Sequence, residues 1–339
     1  MKTIAIEEHL EIKAITDGIN AAVGTASAPK VNPEMQTYMK NELPSPTVMQ
    51  DITDERLPFM DKNEIDVQIL SFGNASPQNL EPEYAIPLSQ QANDELAKIV
   101  AQHPGRFAAL AVLPVGDPNA AAQELERAVM QLGLKGVLLK GNYQNRYFDD
   151  SYFKPIFAMA SQLDVPVYFH PSFVPETITN QYYSRGEWSD LVSGILSTAG
   201  FGWHIDVGIQ VLRMVLSGIF DEYPNLKLIS GHWGEMIPMF LERFDDEFNA
   251  YDTLKQPVSH YFRQNIYFSP SGILTDAQMK FMLDEVGADH VMYSVDYPYK
   301  TPTNTKDYMQ HLQDQAILMT TEEAEKIAYR NAENIFHLN

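Results

Sequence analysis

The sequence predicts an α/β fold of the (β/α)8 TIM-barrel class, with insertions after strands one and five. Three observations lead to it. Eight short β-rich runs recur along the 339 residues, and helix-patterned segments separate them. The runs are near-continuously apolar, as expected for parallel strands covered by helices on both faces. An alternation of this count closes into a barrel. No linker and no internal repeat beyond the βα alternation breaks the chain, so residues 1–339 are read as one domain.

The first strand is read at 3–9, ending Ile6-Glu7-Glu8-His9, and the second at 67–72. Strands three and four are read at 107–113 and 136–140, the latter ending on Lys140. The last four are read at 166–170, 227–232, 265–269 and 290–295. Among the helices, Asn119–Leu132 is rich in Ala, Glu and Leu, follows Asp117-Pro118 and stops at Gly133. Thr275–Val286 begins on a cap residue and ends before Gly287, and Thr320/Thr321 with two following glutamates opens the last helix. Two stretches exceed ordinary loop length, 11–53 and 171–205, and insertions at such places sit on the C-terminal face of a barrel. The second holds Phe173, Tyr182, Tyr183, Trp188, Phe201 and Trp203, the makings of an aromatic lid or of a subunit interface.

Composition narrows the function. Lys and Arg total 24 against 45 Asp and Glu, a net charge of −21. So acidic a chain repels phosphate backbones and anionic membranes, which argues against nucleic-acid and membrane partners. There is no cysteine, so disulfides, thiolate metal sites and a cysteine nucleophile are excluded. Acids at Glu7 and Glu8 stand where a signal peptide needs apolar residues, and the apolar run Val207–Phe220 is too short to span a bilayer. A cytoplasmic protein is the expectation.

The strand ends carry the chemistry. Side chains alternate along a strand, so Glu7 and His9 point one way and Glu8 the other. His170 closes the fifth strand and Asp296 follows the eighth, so the four side chains converge on the barrel mouth. Two carboxylates and two imidazoles suit one divalent ion, Mn or Zn. His232, at the end of strand six, faces the same mouth, and Glu235 is placed to hold its imidazole. Arg243 is a candidate for an anionic substrate group, weighed against an intrahelical pair with Glu242, Asp246 or Glu247. Lys140 has three readings: a carboxylated lysine bridging two metals, a cation for a substrate carboxylate, or a side chain snorkelling to solvent. Phe173 is the candidate aromatic contact. His103, His260, His290 and His311 fall at helix ends or before strands and are given no role.

The segments Ile6-Glu-Glu-His9, Tyr168-Phe-His-Pro171, Ser217-Gly-Ile-Phe-Asp221, Gly231-His-Trp-Gly-Glu235 and Ser294-Val-Asp-Tyr-Pro-Tyr299 together resemble the amidohydrolase-2 group of the amidohydrolase superfamily. Within it the chain is most similar to the γ-resorcylate and 2,3-dihydroxybenzoate decarboxylases, and the similarity runs over nearly the whole sequence. Glu-x-His on strand one is the more specific sign, because hydrolytic relatives usually carry His-x-His. The resemblance implies that Glu7, His9, His170 and Asp296 bind one Mn or Zn. It implies that His232 is the active-site histidine, Glu235 its partner and Arg243 the motif arginine near that partner. It also implies a homo-oligomer, dimer or tetramer, and a small aromatic carboxylate substrate. Lys140 and Gln210 depart from what the better-known decarboxylases carry at those places, which bears on substrate identity.

The implied reaction is non-oxidative decarboxylation of an ortho-hydroxybenzoate to CO2 and a phenol by ring protonation. Asp296 is expected to deliver the proton, with His232 and Glu235 orienting or ionising the hydroxyl. The alternative is a metal-dependent hydrolase or hydratase of the same fold, acting on a lactone or an unsaturated acid with Asp296 as general base. A non-catalytic metal-binding scaffold is the remaining reading, and the clustering of ionisable residues at strand ends weighs against it.

Overall fold

The computed structural model describes residues 1–23, 33–184, 186–248, 251, 253–314 and 319–338. Seven parallel strands are regular: β1 (Ile4–Leu10), β2 (Val67–Phe72), β3 (Phe107–Ala109), β4 (Val137–Lys140), β5 (Val167–His170), β6 (Leu228–Ser230) and β7 (Ile266–Phe268). They pair as β1-β2-β3 and as β4-β5-β6-β7. Two single bridges join what the strands leave open, Ala111 with Val137 and Phe268 with Val291. The ring then closes through Ile6 N–H to Tyr293 O at 3.0 Å and His9 N–H to Tyr297 O at 2.6 Å. Among these elements the order of pairing is that of the expected barrel.

The eighth strand is where expectation and structure part. Residues 290–295 are not a regular strand: His290 ends the helical turn Ala288–His290, Val291 makes a single bridge to Phe268, and several later N–H groups find other partners. Tyr293 N–H donates to Ile327 O in the last helical stretch, at 3.1 Å. The N–H groups of Val295 and Tyr297 donate to the Glu8 carboxylate at 2.9 and 3.3 Å. A side chain of β1 thus does the work of a neighbouring strand. The third strand is also shorter than read, ending at Ala109 rather than at 113.

The helices form where their signals stand. Asp117 caps Pro118–Met130 through both Asn119 N–H and Ala120 N–H, and Pro118 occupies the first turn, where its missing donor costs nothing. Thr320 and Glu323 make a reciprocal capping box before Thr321–Glu325. Asp276–Glu285 fills the predicted Thr275–Val286 segment. Both inserts are partly helical. The first carries Lys13–Val23, Pro33–Glu42 and Pro46–Gln50, and its residues 24–32 lie outside the described residues. The second carries Asp190–Ser197, whose Leu191 N–H donates to Glu34 of the first at 3.2 Å. The two inserts therefore lean on one another above the strand ends. The helix after β5 starts at Gly202, so Trp203 and His204 occupy its first turn rather than the insert. Among the described residues no helix is long and apolar enough to cross a membrane.

Candidate metal centre and its neighbours

β1 has one irregularity. Its register with β2 shifts between Ala5 and Glu8, a bulge that leaves the alternation from Glu7 to His9 intact. Glu7 and His9 enter the barrel mouth, while Glu8 turns outward to Gln68 Nε2 at 3.0 Å and to the backbone before and after Asp296. Behind it, the buried Arg56 donates to His9 O at 2.5 Å and to Gln68 Oε1 at 3.1 Å. Burial pushes the Glu8 carboxyl well above the usual carboxylate range, against the N–H of Val295 and the Arg56 charge.

The structure brings Glu7, His9, His170 and Asp296 together, all buried, with one ligand atom of each within 4.8 Å of the others. Ligand atoms about 2.1 Å from one divalent ion lie about 3–4 Å apart, so the group is near the required span. Glu7 Oε1 and His9 Nε2 are buried and have no hydrogen-bond partner. His9 Nε2 is 3.3 Å from Asp296 Oδ1, but the pair is not aligned as a hydrogen bond. Orphaned buried polar atoms of this kind cost about 1–3 kcal/mol each unless something satisfies them. The other nitrogens are committed: His9 Nδ1 contacts Ser71 Oγ at 3.0 Å, and His170 Nδ1 donates to Pro171 O at 2.7 Å. Each imidazole is thereby oriented with Nε2 facing the group. The donor set and its two unpartnered atoms fit a divalent cation.

The charge states agree with that use. Burial holds His9 down to about 3 and His170 well below its ordinary value, so both imidazoles are neutral and have a free lone pair. Burial raises Glu7, and raises Asp296 to about 7 against the pull of His232 and Lys300. Two serines beyond β7, which the sequence reading passed over, steady Glu7. Ser271 Oγ donates to Glu7 Oε2, and Ser269 Oγ does so at 3.4 Å. Gly231 permits this crowding, since a Cβ there would lie 2.7 Å from both Ser271 Oγ and Tyr168 Oη and 3.1 Å from Glu7 Oε1.

Beside this group lies a second. After β6 the chain turns through His232, Trp233, Glu235 and Met236, all at positive φ, a left-handed run that non-glycine residues take at a cost of about 1–3 kcal/mol each. Trp233 N–H to Ser269 O, His232 N–H to Ser271 Oγ and the Trp233 indole to Ile273 O, each at 2.8 Å, hold the turn. Its product is a Glu235 carboxylate with Oε1 2.8 Å from His232 Nδ1 and Oε2 2.8 Å from His204 Nδ1. Burial alone would lower His232, but the Glu235 and Glu7 charges lift it to about 9. Glu235 was expected beside His232. His204 was not, because it comes from a helix whose only signal in the sequence is apolar spacing.

The remaining candidates separate. Lys140 is 6 % exposed, which rules out snorkelling. Its Nζ donates to Gly73 O at 2.7 Å and Asn74 Oδ1 at 3.4 Å, and burial lowers it to about 8. Arg243, the candidate for an anionic substrate group, lies at the surface of this chain. Its side chain is 69 % exposed and pairs with Glu247 at 2.8 Å, the intrahelical alternative. Phe173 is 46 % exposed and packs edge-on to Trp203, with ring centroids 6.3 Å apart. Of the other insert aromatics Tyr183 is buried, while Tyr182, Trp188 and Phe201 face solvent.

Comparison with known proteins adds to this geometry. Residues 47–338 match the family described as Amidohydrolase. Decarboxylase orsB of Emericella nidulans is 35 % identical over 298 residues, 86 % of this chain and 87 % of that one. The gamma-resorcylate decarboxylase of Rhodococcus jostii is 32 % identical over 99 % of this chain and 98 % of its own. Among solved structures, a putative amidohydrolase from Staphylococcus aureus superposes with a TM-score of 0.86 at 40 % identity, covering 100 % of both chains. A dihydroxybenzoic acid decarboxylase from Polaromonas, with bound manganese and the inhibitor 2-nitroresorcinol, gives a TM-score of 0.83 at 30 % identity, over 100 % of this chain and 97 % of that one.

Proposed function

The chain belongs to the amidohydrolase family, and we propose that it is a manganese-dependent decarboxylase of 2-hydroxybenzoates, releasing CO2 and a phenol. The observation that carries the reading is the buried Glu7–His9–His170–Asp296 group, with two unpartnered ligand atoms, next to a His232–Glu235 pair able to hold a proton. The relatives' names support the reaction class, and the manganese in the Polaromonas structure supports the metal. Zinc remains a workable ion for the same donors.

Direct loss of CO2 from an aromatic ring leaves an aryl carbanion with no electron sink. Adding a proton first to the carbon that bears the carboxylate avoids it. CO2 then leaves as the C–C bond breaks and its electron pair restores the ring. When bound, the divalent ion supplies the Lewis acidity that helps to ionise the ortho hydroxyl and orient the ring. His232, with Nδ1 committed to Glu235, offers Nε2 to that hydroxyl. Asp296 is assigned as the proton carrier: as an ionised carboxylate in the ligand group it takes up the substrate's hydroxyl proton and passes it to the ring carbon. Lys140 spends two of its three N–H donors on Gly73 and Asn74, and the third is assigned to the substrate carboxylate. Phe173, against Trp203, supplies an aromatic wall.

The test is a panel of 2-hydroxybenzoates incubated with the manganese-loaded protein, each acid and its phenol followed by chromatography. Loss of one acid matched by its phenol is the expected result. A fully loaded protein that leaves the whole panel untouched would overturn the reading in favour of water addition or hydrolysis.

A further inference from the structure

A histidine that serves a buried carboxylate at an active site needs that carboxylate to stand still. Glu235 sits on a left-handed turn, with φ 54°. Its two oxygens are fixed by two imidazoles, 2.8 Å on either side, whose ring centroids are 4.4 Å apart. One imidazole, His232, belongs to the proposed chemistry. The other, His204, has no part in the proposed chemistry.

The surroundings of His204 give it a definite direction. The Trp203 indole N–H, which can only donate, lies 3.1 Å from His204 Nε2. An Nε2 that accepts leaves Nδ1 carrying the proton, and Nδ1–H then donates to Glu235 Oε2. Donors and acceptors therefore run in one sense, from the indole through His204 to one oxygen of Glu235, whose other oxygen accepts from His232 Nδ1. Ala199 O, 3.2 Å from the same Nε2, would be its acceptor in the protonated ring, and Nδ1–H points at Glu235 in either form. The helix that carries His204 is seated on the turn itself. A Cβ at Gly208 would lie 2.8 Å from Glu235 O, so glycine there lets the helix approach closely.

We propose that His204 is a positioning residue of the reaction: it locks the Glu235 carboxylate so that Glu235 holds Nδ1–H of His232 and leaves Nε2 for the substrate. This role rests on the decarboxylase reading for its rate consequence but not for its structural one. Without the His204 donor, the carboxylate is free to turn about its last bonds and His232 loses its fixed orientation. Losses of this kind for a residue behind a reacting group run to about 10–100-fold.

The experiment compares His204→Phe, which removes the donor, with His204→Asn, whose amide N–H reproduces a donor near the Nδ1 position. On the best substrate of the panel, kcat of His204→Phe should fall about 10–100-fold with KM and bound manganese within about twofold of the parent. His204→Asn should recover most of kcat. In parallel, the zinc-loaded protein is examined by 15N-edited NMR for the downfield Nδ1–H signal of His232. That signal should be present in the parent and in His204→Asn and be lost to exchange in His204→Phe. A His232 signal unchanged in His204→Phe overturns the proposal, as does a kcat equally low in both variants or unaffected in both. If the parent turns over no acid in the panel, the decarboxylase reading fails, and the NMR comparison still decides the role of His204.

Discussion

In the ligand group, Glu7 Oε1 and His9 Nε2 are buried without a hydrogen-bond partner, whereas beside it both oxygens of Glu235 meet an imidazole at 2.8 Å. The first group is electrostatically unfinished. The second is complete from side chains alone, although its three ligand atoms also lie within 4.8 Å of one another. Similar residue types thus do different work according to where their nitrogens are already spent. Imidazoles with Nδ1 tied to Ser71 or Pro171 keep Nε2 open for a cation. In the other group Nδ1 of both rings is spent on one carboxylate, which suits holding and aiming a proton.

The sharpest way to break this contrast is at Asp296, which belongs to the open group yet is assigned the proton. Asp296→Asn keeps one oxygen for the cation but cannot exchange a proton, so metal content should fall only in part while turnover drops by at least about 10²–10⁴-fold. Turnover near that of the parent, measured on metal-quantified protein, would remove Asp296 from the proton path.

A smaller effect tests the scaffold behind the open group. Glu8 joins β1 to the backbone on either side of Asp296, at Val295 and Tyr297. Glu8→Gln retains size but offers only one acceptor oxygen in place of two. Manganese affinity, read by competition with a chelating dye, should fall about 10–100-fold, the range for residues that orient ligands. An unchanged affinity would mean that the barrel alone places Asp296.

The gentlest probe is pH. In the metal-free protein burial raises Asp296 to about 7 from an ordinary 3.8. A raised carboxyl favours the folded state while protonated, so this contribution is full below about 3.8 and is lost as pH rises through about 7. Cation binding needs the ionised carboxylate, so affinity runs the other way. It should climb by about tenfold per pH unit for each carboxyl that must ionise, and the Asp296 share should level off above about 7. His9, held down to about 3, adds no proton competition in this window. Affinity independent of pH between 5 and 7 would contradict the buried, protonated form of Asp296.

How much of this could be read beforehand follows the same division. Glu7, His9, His170 and Asp296 were legible because strand alternation and the common end of a barrel are rules of backbone geometry, independent of distant residues. His232 and Glu235 were legible as close neighbours in sequence. His204 was not, since it lies 31 residues from Glu235 and depends on how the helix Gly202–Leu216 seats against a left-handed turn. The irregular eighth strand was hidden for a related reason. Its pattern is that of a strand, but Glu8 and Ile327 take its N–H groups, and no local pattern records a tertiary competitor. Arg243 lies at the surface of this chain, paired with Glu247, and a motif position says nothing about which way a helix turns its faces.

The most direct measurement of the account takes bound manganese per chain and turnover on the same preparations of His170→Ala and Glu235→Gln. The account predicts that His170→Ala loses both metal and turnover, while Glu235→Gln keeps its metal and loses turnover alone. Loss of metal from Glu235→Gln, or metal and turnover retained in His170→Ala, would contradict the division between an open group for the cation and a closed one for the proton.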